Sequence, residues 1–507
     1  MMEQPMSTDH SSPTYAEQNI AEYRDNPLIE ALPPILTEKE AARAMILRPQ
    51  IQPEERAMST EERWHLLARL KYVVIPRLIF YDVERTISRL LRAGYVVRNP
   101  IEAATWRSIY TAQDREQWRN LDWQLIPCES QLLIVGLSGS GKTTCADAIL
   151  RTYPQQVIHH ASWRGRHLPI TQLVWLKVTC PKNGSISSFC REFARQVDAA
   201  LGTGGKYEKL FSRTGMREDM LEGAMRQIAA THFLGILIID EIQRLSLQKT
   251  HGTAPLLHFF QDLRTVLRVP VVEIGTSKAA NLFTNEMKDG RRASESGLIQ
   301  FERPPKRVKE WDDFVRRIWT YQWVRQPRDP DEEILDTVFD LSQSIPDFVV
   351  LLFKLAQQRA MLDGTETLTP KLLRQTYDDG LALLHPAINA LRTNTTRSLS
   401  QYEDLLPVDE ALAKLLEFPK QVTVMHDYLD QLFPVTGPAV QAEGTGQSVS
   451  PQSGDVNTES VDSGALDSAL PPGYVDMRTA ADADDPHQYL VEKGVISHEG
   501  VGLGSRR

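Results

Sequence analysis

Paired cysteines and long apolar runs are both missing from this chain of 507 residues. Its four cysteines lie far apart without C-x-x-C spacing, which argues for reduced thiols and against a zinc site: Cys128, Cys145, Cys180 and Cys190. No apolar run reaches the ~18 residues needed to span a bilayer, and the N-terminus lacks a charged-then-apolar signal. We therefore expect a soluble, cytoplasmic protein with no membrane partner.

Internal repeats and surplus positive charge are missing as well. No repeat of about 20 to 50 residues is present, which argues against an appended array of sensor repeats. The formal net charge of −9 speaks at first sight against nucleic acid. Residues 438–507 hold 11 acidic and 4 basic residues, however, so they contribute −7 and leave −2 for the rest. A nearly neutral body can still present a local basic surface, because binding depends on the field at the contact.

One short segment of the sequence predicts a phosphate-binding loop. Residues 136–143 match G-x-x-x-x-G-K-[ST], with an apolar strand pattern before them and a helical pattern after them. The flanking pattern disfavours the alternative, a glycine turn with an incidental lysine. Backbone N–H groups and Lys142 would hold the phosphates, and the Thr143 hydroxyl would ligate Mg²⁺. The predicted nucleotide-contacting residues are Gly136, Leu137, Ser138, Gly139, Ser140, Gly141, Lys142, Thr143 and Thr144.

An acidic pair follows a second apolar run, about a hundred residues after the phosphate loop. Residues 234–239 have the pattern of a strand buried on both faces, and Asp240 and Glu241 end it. Asp240 would hold Mg²⁺, and Glu241 would polarise the water that attacks the γ-phosphate. Such a pair often only solvates the end of a strand; the upstream loop favours the catalytic interpretation.

A third apolar strand, residues 269–275, delivers Thr276 to the same edge of the sheet. With these three elements the chain resembles the AAA+ ATPases. In that family a polar residue at this position contacts the γ-phosphate or the attacking water, so Thr276 is the candidate sensor. The alternative is that Thr276 caps a following helix, and both roles can hold together.

The strand and helix patterns predict an α/β fold with a largely parallel sheet followed by a helical region. The resemblance implies that these are an AAA+ P-loop NTPase core and its helical lid. Further strands are predicted at 173–178 and 298–301, and helices at 186–201 and 216–230. The predicted organisation is a disordered start (1–20), an appended N-terminal helical module (21–119), the AAA+ core (120–304), the lid (305–395), a weakly helical linker (396–437) and a disordered acidic tail (438–507). The third lid helix begins near Ser344 without the arginine of many relatives.

Sequence motifs in the N-terminal region are more specific to one family than the ATPase motifs are. Residues 23–33, 75–78 and 92–100 resemble the TnsC and TniB regulators of DNA transposition, and the likeness covers roughly residues 20–390. The resemblance implies an ATP- and Mg²⁺-dependent ATPase that oligomerises, as a ring or a helical filament, around double-stranded DNA. It also implies a target-selection protein or RNA-guided complex as one partner and transposase subunits as another. The long tail suggests the TnsC type, whose C-terminal extension engages the transposase.

Two basic segments complete the list of candidates. Residues 202–217 contain four basic residues with little base-reading chemistry, which suits contact with DNA phosphates: Lys206, Lys209, Arg213 and Arg217. An ordinary basic surface loop is the alternative. Arg291 and Arg292 precede the last strand, where AAA+ proteins place an arginine that reaches the neighbouring subunit's γ-phosphate. Two adjacent arginines in a polar loop can also be merely solvated.

Three functional hypotheses therefore follow from the sequence. The first is a DNA-binding transposition regulator driven by ATP. The second is a signalling NTPase without a DNA role. The third is a scaffold that keeps ATP as a structural ligand and so does not need Glu241 or an arginine finger.

Overall fold

The structure is a computed structural model that describes residues 13–111, 131–183, 185–213, 217–247, 268–277, 279 and 296–393. The strands of this part of the chain are β1 (Gln131–Gly136), β2 (Val157–Trp163), β3 (Arg166–Leu173), β4 (Trp175–Thr179), β5 (Ile236–Asp240), β6 (Val271–Gly275) and β7 (Ser296–Phe301). Five of them form a parallel sheet in the order β4-β5-β6-β1-β7. This confirms the predicted α/β class.

The sheet positions the candidate site because parallel strands end at one edge. Strands β1, β5 and β6 are buried along their whole length, as continuous apolar runs require when helices cover both faces. Val135 at the end of β1 pairs with Gly275 at the end of β6. The phosphate loop, Asp240 and Thr276 therefore emerge side by side at the carboxyl edge.

The predicted second strand was only partly right. Residue 173 ends β3 and residue 175 begins β4, with Val174 between them. Strand β3 pairs antiparallel with β2 in a hairpin that the sequence analysis missed. Its two-residue turn is Arg164-Gly165, both with positive φ (47° and 79°), the backbone that hairpin turns require. Arginine is an unusual first residue for such a turn, so the signal was weak.

The α-helices of the described residues are α1 (Pro27–Glu30), α2 (Glu38–Met45), α3 (Thr60–Leu66), α4 (Leu78–Val96), α5 (Ala103–Thr111), α6 (Lys142–Leu150), α7 (Ile186–Leu201), α8 (Lys206–Phe211), α9 (Glu218–Thr231), α10 (Lys309–Trp319), α11 (Glu332–Ser342), α12 (Pro346–Leu362), α13 (Pro370–Gly380) and α14 (His385–Thr393). Helix α7 has the predicted bounds, and α9 is close to them. Capping boxes begin α2 at Thr37 and α3 at Ser59. None of these helices is long and apolar enough to cross a membrane.

The N-terminal helices do not form an appended module, contrary to the sequence analysis. Helix α4 packs into the core of the sheet, where Val83, Ile87 and Leu91 are fully buried. Leu67 and Leu70 instead belong to the core of the lid. The physical reason is that an amphipathic helix must bury its apolar face against another element, and here the sheet and the lid supply those surfaces.

Two close contacts show how tightly α4 joins the sheet. The Tyr95 hydroxyl donates to the carbonyl of Phe233 at 3.1 Å. A Cβ on Gly235 would lie 2.4 Å from that hydroxyl oxygen and 2.2 Å from the carbonyl oxygen of Val174, so only glycine fits there. Residues 13–20 are also placed, although composition predicted disorder through residue 20: the Tyr15 hydroxyl lies 2.8 Å from His160 Nδ1.

Candidate nucleotide-binding site

The phosphate loop connects β1 to α6 and exposes the N-terminus of that helix. Gly139 and Gly141 have φ of 78° and 94°, a backbone that residues with a side chain rarely adopt. Gly141 is the N-cap of α6, and a Cβ there would meet nothing within 4 Å, so the loop is open on that side. The Lys142 ammonium donates to the carbonyls of Gly136 (2.9 Å) and Leu137 (2.8 Å), which places a buried cation at the loop. The arrangement suits an anion.

Two oxygen-bearing side chains meet beside this loop. The Thr143 hydroxyl donates to Asp240 Oδ2 at 3.1 Å, and Asp240 is only 5% exposed. Lys177 on β4 lies 3.7 Å from the same oxygen and 2.5 Å from Asp147 Oδ1. A hydroxyl and a carboxylate at the end of a phosphate loop are ligands that Mg²⁺ accepts alongside phosphate oxygens. The pair that the sequence analysis assigned to the metal is therefore brought together.

Glu241 follows Asp240 in an unusual backbone conformation. Its φ is 60°, and its N–H donates to Asp240 Oδ1 at 2.9 Å. A residue with a side chain keeps this conformation only where its surroundings enforce it, and such residues concentrate at functional sites. The Glu241 carboxylate is 40% exposed, so it can reach a bound ligand and water.

Thr276 lies at the end of β6, within the same cavity. It is 5% exposed, and its buried hydroxyl has no hydrogen-bond partner. The hydroxyl therefore makes no capping bond to the following turn, and the sensor role of Thr276 stays a prediction. The Ser140 hydroxyl of the phosphate loop is likewise buried without a partner. Two orphaned hydroxyls in one polar pocket indicate a ligand with acceptor oxygens, because buried polar groups are otherwise almost always paired.

The cavity that contains these groups has a volume of about 450 Å³. Its wall includes the phosphate loop, Asp240, Glu241, Gln243 and Thr276 from the core, Asp347 from the lid and Lys71 to Arg77 from the N-terminal segment. This volume falls in the range of small-molecule and cofactor pockets. The three parts of the chain that enclose it come from different regions of the sequence.

The lid contacts the phosphate loop through an acidic residue. The Asp347 N–H, in the first turn of α12, donates to the carbonyl of Gly139 at 3.3 Å. Burial raises the pKa of its carboxyl group. No basic residue occupies positions 344–347, in agreement with the departure noted in the sequence. A positive side chain reaches the loop from the N-terminal segment instead: Arg77 donates to the carbonyl of Ser140 at 3.3 Å.

Sequence reasoning missed four residues of this site, and each has a physical reason. Lys177 sits mid-strand, and nothing in its flanking residues predicts its contact with Asp240. Arg77 and Asp347 reach the loop only through tertiary packing. Gln243 was the most accessible to prediction, because it lies two residues after Glu241 at the end of a buried strand.

The basic segment forms a helix where the sequence analysis expected none before residue 216. Helix α8 begins after Gly205, whose φ is 81°, and it contains Lys206 and Lys209. Asp198 anchors its start by accepting the N–H groups of Tyr207 (3.0 Å) and Glu208 (2.7 Å). The helix was missed because six residues are too few to show a periodic pattern. Arg213 follows it and Arg217 is the N-cap of α9; none of the four basic residues lines the cavity.

Several predicted features lie outside the described residues. These are the candidate fingers Arg291 and Arg292, the linker and the acidic tail.

Residues 129–283, less than a third of the chain, match the model of a family described as AAA domain. The fold is that of an AAA-type P-loop NTPase. The match spans the phosphate loop, the acidic pair and Thr276, all of which line the cavity. No sequence among curated proteins matches the chain.

Solved structures with a similar arrangement include a Walker-type ATPase of Pyrococcus abyssi, at 15% identity over 60% of this chain and 88% of that chain, with a TM-score of 0.33. Cdc6p from Pyrobaculum aerophilum matches at 13% identity over 64% and 83%, with a TM-score of 0.34. The RuvB Holliday junction branch migration motor of Thermotoga maritima matches at 15% identity over 65% and 86%, with a TM-score of 0.28. At these identities and TM-scores, none of the three transfers a functional conclusion to this chain.

Proposed function

We propose that this protein binds and hydrolyses ATP with Mg²⁺ and uses the cycle to regulate DNA transposition. The observation that supports hydrolysis best is the meeting of four elements in one cavity: the phosphate loop, the contact between Thr143 and Asp240, the carboxylate of Glu241 and the orphaned Thr276 hydroxyl. A scaffold that only stored ATP would need the first two elements but not the last two.

Each residue has a chemical role in this proposal. Backbone N–H groups at the start of α6 and the Lys142 ammonium neutralise the β- and γ-phosphates. Thr143 and Asp240 would hold Mg²⁺, which supplies further neutralisation of phosphate charge. Glu241 orients and polarises the attacking water, and the Thr276 hydroxyl donates to the γ-phosphate or to that water.

The proposed role in regulating transposition depends on the N-terminal sequence motifs and on the basic segment, residues 202–217. Residues 23–33, 75–78 and 92–100 resemble TnsC and TniB regulators, and Lys206, Lys209, Arg213 and Arg217 provide charge away from the nucleotide site. In this proposal the protein oligomerises on duplex DNA, and Arg291 or Arg292 completes the site of the neighbouring subunit. A target-selection protein or an RNA-guided complex acts before it, and transposase subunits act after it.

The decisive experiment measures ATP turnover with and without duplex DNA of arbitrary sequence. The proposal predicts turnover that DNA changes, and DNA binding that requires ATP and weakens steeply with salt, because counterion release drives phosphate contacts. Turnover that DNA does not affect would favour a signalling NTPase, and ATP binding without turnover would favour a scaffold.

A charge-reversal variant tests the DNA surface separately. Changing Lys206, Lys209 and Arg213 to Glu should weaken DNA binding by at least about tenfold. The affinity should also fall less steeply with salt concentration, by a slope that corresponds to the loss of up to about three phosphate contacts. ATP affinity should stay unchanged because these residues do not line the cavity. The matched control reverses three exposed charges elsewhere, at Lys39, Arg43 and Lys371. If both triple variants bind DNA equally well, α8 is not the contact surface.

A further inference from the structure

The side-chain amide of Gln243 connects two residues of the nucleotide site. Gln243 lies in the 3-10 turn Ile242–Leu247 directly after β5. Its Nε2 donates to Glu241 Oε2 at 2.8 Å, and its Oε1 accepts the N–H of Thr276 at 3.2 Å. One amide thus connects the carboxylate of Glu241, which follows β5, to the backbone of Thr276, which follows β6.

Gly275 leaves room that this amide shares with the side chains of Ala279 and Ile242. A Cβ at this position would lie 2.7 Å from Gln243 Oε1 and 2.7 Å from the Cβ of Ala279. The first contact is closer than real Cβ atoms tolerate, so a larger residue would displace the amide. Since the φ of Gly275 is not positive, its lack of a side chain is explained by this crowding and not by backbone conformation.

Two neighbouring side chains restrain the partly exposed Glu241 carboxylate. A residue at φ 60° is held there by its contacts, and its side chain is 40% exposed. Arg244 adds a second restraint: its guanidinium is fixed on the carbonyl of Cys180 at 2.8 Å and lies 3.5 Å from Glu241 Oε2. Among the described residues, both donors act on Oε2, and neither occupies Oε1.

We propose that Gln243 is a positioning residue for ATP hydrolysis: it fixes the Glu241 carboxylate in the orientation that activates water and couples it to Thr276. The inference rests on the proposed function. Gln243 is not itself a catalytic residue, since an amide neither accepts nor donates a proton to water at neutral pH. Its contribution is geometric, because a displacement of about 1 Å in a reacting group can lower a rate by about a hundredfold.

The test uses the full-length protein with Gln243→Ala and Gln243→Glu. The first removes both hydrogen bonds. The second keeps an acceptor for the Thr276 N–H but replaces the donor to Glu241 with a like charge. We expect both variants to lower kcat by about ten- to a hundredfold while the affinity for a fluorescent ATP analogue stays within about twofold of wild type. Wild-type kcat in either variant would overturn the inference.

A double-mutant comparison separates positioning from general structural support. If Gln243 acts through Glu241, then Gln243→Ala should lower single-turnover hydrolysis no further in a Glu241→Gln background, because the group that it positions is already gone. An equal additional loss in that background would contradict the inference. The control is Gln227→Ala on α9, which removes an amide that donates to the exposed Thr231 hydroxyl, away from the cavity, and should leave kcat unchanged.

The same set of variants distinguishes failure of the inference from failure of the proposed function. If Glu241→Gln binds ATP and loses hydrolysis while Gln243→Ala is fully active, only the role of Gln243 is wrong. If Glu241→Gln hydrolyses ATP at the wild-type rate, the catalytic role of Glu241 is wrong, and the inference about Gln243 falls with it.

Discussion

At the scale of single residues, the candidate site consists mostly of polar side chains that the ends of neighbouring strands bring together. Thr143 and Asp240 are 97 residues apart in sequence and share a hydrogen bond. Their types and positions were predictable from the sequence, because each ends or follows a buried apolar run at the carboxyl edge of a parallel sheet. Gln243 and Asp347 were not predicted, since their roles depend on contacts between elements and not on a local pattern.

Lys142 gives the simplest test at this scale. Lys142→Ala should weaken ATP binding about ten- to a hundredfold, because a hydrogen bond from a charged donor contributes about 1.5 to 3 kcal/mol. A titration with a fluorescent ATP analogue measures the change. Lys371→Ala, which removes an exposed lysine of the lid, is the control and should bind normally. Wild-type affinity in Lys142→Ala would show that the cavity is not the nucleotide site.

His160 is a buried residue that the nucleotide chemistry does not use. It is 3% exposed, and its ring contacts the Tyr15 hydroxyl at 2.8 Å and Gln172 Oε1 at 3.0 Å. Gln172 donates its own amide to the carbonyl of Leu28, so its Oε1 faces the histidine and Nε2 of His160 carries the proton. Burial lowers the pKa of His160 to about 4. The ring is therefore neutral in the folded protein above about pH 4.

That neutral ring contributes to the pH dependence of stability. An unfolded histidine binds a proton near pH 6.5, whereas folded His160 does not bind one until about pH 4, so acid favours unfolding over this interval. The melting temperature should fall as the pH is lowered from about 6.5 to about 4. Over this interval His160 should reduce the free energy of unfolding by at most about 3 kcal/mol. His160→Gln should flatten the profile, and His159→Gln, its exposed neighbour on β2, should not. An identical slope in both variants would exclude His160 as the cause.

At the scale of secondary structure, the elements predicted correctly are those whose burial is complete. Strands β1, β5 and β6 are uniformly buried and appear in the sequence as uninterrupted apolar runs. The hairpin of β2 and β3 was missed because its burial alternates and its polar positions interrupt the apolar pattern. Helix α8 is held by Asp198 from outside its own sequence. The sequence therefore predicts the elements whose own residues form a continuous apolar pattern. It does not predict the elements that depend on contacts from a neighbouring element.

At the scale of the whole described chain, the N-terminal segment joins the sheet core to the lid. Helix α4 packs in the first core, and Leu67, Leu70 and Ile75 pack in the second. Arg63, which has no exposed side-chain surface, binds both oxygens of Glu366 at 2.6 and 2.7 Å and the carbonyl of Trp323 at 3.0 Å. The lid is thus held by side chains that lie far from it in sequence.

The buried ion pair gives a test of this attachment. Arg63→Ala should lower the free energy of unfolding by about 3 to 5 kcal/mol, because it leaves the Glu366 carboxylate without its main partner. Chemical denaturation measures the change. Arg325→Ala is the matched control: its guanidinium lies 3.9 Å from Glu366 and is 55% exposed, so its loss should cost less than about 1 kcal/mol. Equal losses in the two variants would mean that Arg63 does not fasten the lid.

The sequence separation between Arg63 and its partners also determines when these contacts can form during synthesis on the ribosome. Its partners Trp323 and Glu366 are 260 and 303 residues downstream. At about 5 to 20 residues synthesised per second, Glu366 is added roughly 15 to 60 s after Arg63. Throughout this interval Leu67 and Leu70 lack the lid surface that buries them in the finished protein. Leu67 and Leu70 are therefore made long before their native surroundings, and we expect the growing chain to expose these apolar side chains to chaperones.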